Sequence, residues 1–145
     1  MIMIKEFEKL SAEEVALLLK APAIVSVKAL SAYKEINKAQ KEDAIKLAHT
    51  KTFTEHYLLV PYYEEVDRHF KKYFEEYVER YFPFDTAHCE AIKKEMDTVN
   101  AIIEKLDNVY AGQLRRSLAG YARHVNNAAH NVLQDIIFPV TFSKL

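Results

Sequence analysis

The chain has 145 residues, 20 of them lysine or arginine and 21 aspartate or glutamate, for a formal net charge of -1 with the histidines neutral. That length suits one domain burying roughly two thirds of the surface its unfolded form exposes, and the balanced charge supplies no net field to gather nucleic acid or an anionic membrane. The single cysteine, Cys89, excludes an intrachain disulfide, suits a reducing interior, and would need three ligands of other types to complete a zinc site.

At the N-terminus, "MIMIKEFEKL" interrupts its apolar residues with Lys5, Glu6, Glu8 and Lys9, and no small-residue cleavage site follows. It does not read as a signal peptide, and no run approaches 18 apolar residues. The expectation is a soluble, cytoplasmic protein without membrane insertion. Two glycines and four prolines leave little material for tight hairpins, and the apolar positions recur at three and four rather than two. The fold class is all-α.

Ser11 and Glu14 form a capping box that opens a helix through Lys20. Pro22 then suits the first turn of a second helix, "APAIVSVKALSA", apolar or small on most sides. Asn37 with Gln40 repeats the capping signature and starts a third, with Ala44, Ile45, Leu47 and Ala48 inward. A short helix from Thr54 to Val60 is predicted, ended by the conformational bias that Pro61 imposes on the residue before it. Between Tyr62 and Phe82, Val66, Phe70, Tyr73, Tyr77 and Tyr81 follow at intervals of 4, 3, 4 and 4, which is a long amphipathic helix stopped by Pro83. Asp85 is positioned to cap the next, whose inward stripe is Ile92, Met96, Val99, Ile103 and Leu106. After a corner at Leu106 to Asn108 the last long helix presents Tyr110, Leu114, Leu118, Tyr121, Val125 and Ala128, and Pro139 breaks helicity in the apolar tail. No linker or repeat divides the chain. Residues 1–145 therefore read as a single compact bundle of about six or seven helices.

The buried helix beginning "APAIV", a corner, the helix "KEDAIKLAHTKTF", then "YYEEVDRHF" and "LRRSLAGYARHV" together resemble the TerB-like, tellurite-resistance-associated all-helical proteins, over most of Ala21 to Ala129. In that family the corner after the buried helix reads alanine, aspartate, glycine, any residue, isoleucine, aspartate, and its acidic residues are implicated in binding a divalent cation. The matching positions here are Ala32, Tyr33, Lys34, Glu35, Ile36 and Asn37. Hard cations take several oxygen ligands on a loop that turns sharply, and neither Tyr33 nor Lys34 serves that end. Glu35, Asn37, Glu42 and Asp43 are what remains of such a site. The resemblance implies a stress-related setting and a bend between Ala32 and Asn37 held by packing and capping rather than by an ion.

Among other constellations, His49, His56, Glu65 and His69 are the alternative metal-ligand set. His49 and His56 lie seven apart, about 10 Å along one unbroken helix, so they meet one ion only if the chain bends between them. Glu65 and His69 are one turn apart, and the Glu-x-x-His spacing used by di-iron bundles is absent. His124 and His130 point to nearly opposite faces. His88 and Cys89 are adjacent and so diverge by about 100°. No serine sits on a strand-turn-helix elbow, and no glycine-rich phosphate loop exists. Arg115, Arg116 and Arg123 form a candidate anion patch, and Gly112 and Gly120 open the same helix to a close-packed partner. Five tyrosines between Tyr62 and Tyr81 suit half-buried seams or a homodimer interface, while the excess of carboxylates over lysine and arginine on that helix opposes nucleic-acid stacking. The expected function is a non-enzymatic binding or scaffold protein without a cofactor, acting through an unknown protein partner or as a homodimer. The alternative is a metal-binding or metal-sensing bundle.

Overall fold

The computed structural model describes residues 4–32 and 38–137, with side chains described for 4–31, 38–50 and 55–125. Among the described residues there are five α-helices and no strand: α1 Ala12–Ala29, α2 Lys38–Thr54, α3 Val60–Tyr81, α4 Thr86–Ile103 and α5 Asn108–Ile137. Short 3-10 turns precede α1 at Lys5–Phe7, follow it at Leu30–Ala32, and lead into α3 at Tyr57–Leu59. The all-helical class holds, with fewer helices than the six or seven expected.

One merger and one shortened segment account for the smaller number. The capping box at Ser11 forms as expected: its hydroxyl accepts from the Glu14 amide at 3.1 Å, and the Glu14 carboxylate accepts from the Ser11 amide at 2.9 Å. The helix it opens does not stop before Pro22 but continues to Ala29 with Pro22 inside. Pro22 has no amide to give the Leu18 carbonyl four residues back, which normally breaks a helix. Here the Tyr62 hydroxyl, arriving from α3, donates to that carbonyl at 2.7 Å. Leu18 and Tyr62 are both fully buried, so the tyrosine supplies a bond that water cannot reach to make. One turn on, the buried Ser26 hydroxyl donates back to the Pro22 carbonyl at 2.8 Å. The shortened segment lies around His56. No separate helix runs from Thr54; instead α2 ends there, and the His56 ring accepts from the Leu58 amide at 3.1 Å to start the turn that enters α3, with Pro61 in its first turn.

The remaining boundaries follow side-chain caps. Asp85 accepts from the His88 amide at 2.8 Å and starts α4. Asp107 accepts from the Val109 and Tyr110 amides, each at 3.2 Å, and starts α5. Asn37, the expected cap of α2, the bend from Tyr33 to Asn37, Ala128 and the tail around Pro139 lie outside the residues whose side chains are described.

The core is arranged around α1, which packs against α3, α4 and α5, while α2 packs on α3 and α5. Residues 21–27 of α1 are all buried, as the lack of a polar face in "APAIVSV" demands. α3 contributes Tyr62, Tyr63, Val66, Phe70, Phe74, Tyr77 and Tyr81; Phe74 replaces Tyr73 in the expected stripe, and Tyr73 packs at its edge. α4 buries Ile92, Val99, Ile102 and Ile103, with Met96 at its edge, and α5 buries Tyr110, Leu114, Leu118, Tyr121 and Val125. α2 is fastened more lightly, by Gln40, Ala44 and Ala48 and by the Tyr121 hydroxyl donating to the Ala44 carbonyl at 3.2 Å.

Candidate functional site

The polar residues singled out from sequence are engaged with neighbours, two of them between helices and the rest within one helix or turn. His49 of α2 meets Asp67 of α3, Nδ1 to Oδ2 at 3.0 Å. His56 caps the turn before α3 and stacks on the Tyr57 ring at 4.6 Å. The two oxygens of Glu65 are divided between Arg68 at 2.7 Å and His69 at 3.1 Å. Glu42 lies 3.9 Å from Lys38 one turn away, and Asp43 lies 3.6 Å from His124 of α5. Glu35 and Asn37 lie outside the described residues. Among the described residues no group of three or more His, Cys, Asp or Glu side chains is placed to hold a metal ion. His49, His56, Glu65 and His69 are therefore not brought together as such a group.

The tyrosine-rich helix is turned into its own chain. Tyr62 and Tyr63 are fully buried and meet edge to face, with ring centroids 5.0 Å apart, and Tyr63 shares a hydrogen bond of 2.6 Å with the buried Ser117. At the other end of α3, Tyr77 and Tyr81 both donate to Glu95 of α4, which Arg80 approaches to 3.6 Å. The Arg80 guanidinium lies over the Tyr77 ring at 4.8 Å. Burial pushes the phenols of Tyr62, Tyr63, Tyr77 and Tyr121 up, because the phenolate form would lose its hydration. These side chains fasten helices together.

The concave surface lies elsewhere. α1, α4 and α5 enclose a groove of about 540 Å³, open on one side. α1 supplies Val25, Lys28 and Ala29; α4 supplies Lys93, Met96, Asp97, Asn100 and Ile103; α5 supplies Arg115, Leu118, Ala119 and Ala122. Each set follows helical spacing, i, i+3, i+4 and onward, so three regular helix faces make the site without an irregular loop. Its floor is apolar. Its rim carries one cation from each wall, Lys28, Lys93 and Arg115, against the single carboxylate of Asp97. Arg115 has one loose ion pair, 3.8 Å to an exposed Glu104, and Lys28 and Lys93 have no ion-pair partner among the described residues.

Sequence reasoning reached Arg115 as part of an arginine patch, but Arg116 and Arg123 are exposed and do not line the groove. Gly112 is exposed, with nothing within 4 Å of where a side chain would begin. Lys28, Lys93, Asp97 and Asn100 were not singled out. Their signal is present, since a basic residue stands beside an apolar stripe on each of three helices, but only the packing of the three shows that they converge. A more open hollow on α3 is lined only by charged residues of that one helix, Arg68, Lys71, Lys72, Glu75, Glu76 and Glu79.

No helix of the described residues is long and apolar enough to cross a membrane. No protein-family model matches the chain, and no curated protein or solved structure is significantly similar to it.

Proposed function

We propose that this chain is a non-enzymatic helical binding domain whose working surface is the groove between α1, α4 and α5. The observation that carries the reading is the contrast between this groove and the rest of the molecule. His49 and Asp43 are engaged in helix-to-helix contacts with Asp67 and His124, and His56, Glu65 and His69 are engaged within their own segments, whereas the groove combines an apolar floor with three cations at its rim. Its volume falls within the roughly 300–1,000 Å³ of typical small-molecule sites, and such sites pair an apolar lining with a few placed polar groups. The resemblance to TerB-like proteins adds a stress-related setting to the proposal.

The test is amide-resolved NMR of the full chain titrated with decanol, a neutral amphiphile. Shift changes confined to the groove-lining residues, and abolished in Ala119→Trp, support the reading. Changes centred on another surface, or none, refute it. Ala119 is exposed, so the bulky ring fills the groove without entering the core.

A further inference from the structure

We infer that α2 is a detachable strap: it opens as a unit from the seam between α3 and α5 while the other four helices stay packed, and so uncovers an aromatic trough that the closed bundle hides. This goes beyond the groove between α1, α4 and α5, to which α2 contributes no residue.

The fastening of α2 comes first. Among residues 38–50, where its side chains are described, the buried ones are Gln40, Ala44 and Ala48. Ile45 and Leu47 reach the core only partly buried. Each of the other four helices buries at least four apolar side chains larger than alanine; in α4 they are Ile92, Val99, Ile102 and Ile103. Apolar stabilisation scales with the area removed from water, so two methyl groups hold α2 far more weakly than branched and aromatic side chains hold its neighbours. Its two edges are pinned by His49 to Asp67 of α3 at 3.0 Å and by Asp43 to His124 of α5 at 3.6 Å. Both histidines are exposed, and contacts of this kind in water add little.

The seat of α2 explains why the rest can stay closed. α2 packs on both α3 and α5, whose own backbones scarcely approach each other among the described residues. Those two helices meet through side chains instead. The Phe70 and Tyr121 rings lie 5.9 Å apart, and Tyr63 shares its 2.6 Å hydrogen bond with Ser117. None of these contacts involves α2, and both helices keep their packing on α1. Opening of α2 therefore leaves a trough between α3 and α5 that bares Tyr121. The buried bond across this seam, from the Tyr121 hydroxyl to the Ala44 carbonyl at 3.2 Å, is exchanged for water as the trough is wetted, so opening strands no polar group. Cooperative units of this sort open at free energies well below that of the whole fold.

Native-state hydrogen exchange of the full chain, read amide by amide over a series of low urea concentrations, tests the inference. After correction for intrinsic rates, α2 amides should exchange at least about a hundredfold faster than the slowest amides of α1 and α3, with a urea dependence above zero but below that of global unfolding. Ile102→Val, in the part that stays packed, should speed the slowest amides about two- to tenfold and leave α2 amides unchanged. Uncovering of the seam is read separately by a small thiol reagent. With the native thiol removed by Cys89→Ala, Ala48→Cys should be labelled at least about tenfold faster than Val99→Cys, both positions being fully buried in the closed bundle. Exchange of α2 with the rate and urea dependence of the whole fold overturns the inference, as does exchange with no urea dependence, which is fraying. Equal acceleration of every helix by Ile102→Val, or equal labelling at the two buried positions, overturns it as well.

Discussion

Replacing Tyr62 by phenylalanine removes one oxygen atom, yet it should destabilise the fold well beyond its size. The Tyr62 hydroxyl donates to the Leu18 carbonyl at 2.7 Å, and both residues are fully buried. Pro22 cannot supply the amide that this carbonyl would otherwise receive within α1, so Tyr62→Phe leaves a buried acceptor with neither its helical partner nor water. The expected loss is about 1–3 kcal/mol, against about 1 kcal/mol for an ordinary intramolecular hydrogen bond. Pro22→Ala returns the missing amide. In that background the Leu18 carbonyl has its helical donor, and Tyr62→Phe should cost less by about 1 kcal/mol or more. A double-mutant cycle read from urea denaturation, with the m-value checked for constancy, isolates this coupling from the effect of Pro22→Ala on the unfolded chain. Equal costs of Tyr62→Phe in the two backgrounds would refute the claim that the tyrosine substitutes for the amide.

Three further outcomes follow from the same packing. Tyr110 is buried with its hydroxyl lacking a hydrogen-bond partner among the described residues, so Tyr110→Phe should be neutral or stabilising by up to about 1 kcal/mol in thermal unfolding; a loss above 1 kcal/mol would show that the hydroxyl is bonded. Burial raises the phenols of Tyr62, Tyr63, Tyr110 and Tyr121, so the folded chain keeps protons that the unfolded chain releases above about pH 10, and stability should fall by about 1.4 kcal/mol per pH unit for each. Tyrosinate absorbance should then rise together with loss of helical circular dichroism, whereas ionisation of these groups well before unfolding would contradict their burial. The Lys105 ammonium beside Glu14, with the Ser11 amide, holds that carboxyl below the usual carboxylate range. Its contribution is present above the unfolded value and is lost as pH falls through the folded one, so Glu14→Gln should flatten the acid limb of stability between about pH 5 and pH 3 and leave the alkaline limb unchanged. An unchanged acid limb would show that the pair is solvent-screened.

How far the sequence reveals the fold depends on whether each signal is local. The capping box at Ser11, the cap at Asp85, and the stripe from Tyr110 to Val125 are legible because spacing within one segment determines them. Pro22 misleads for a physical reason: its effect on α1 is cancelled by a side chain 40 positions away in sequence, which no local rule contains. The exchange of Tyr73 for Phe74 on the buried face of α3 has a similar origin. A helix face with aromatics at both positions has two nearly equivalent stripes, and its neighbours choose between them. The histidines stand out because their type suggests ligands, but His49 braces α2 to α3, His56 caps a turn and His69 pairs with Glu65 one turn away on α3. The groove lies at the opposite extreme. Its residues are commonplace on each helix and acquire meaning only when α1, α4 and α5 are set side by side.

The most direct measurement is a crystal structure of the chain with ω-bromododecanoate. The groove account predicts anomalous scattering from the bromine inside the groove, against the apolar side chains between Ala29 and Ala122. Bromine seated on any other surface, or a groove that stays empty while the ligand binds elsewhere, would contradict it.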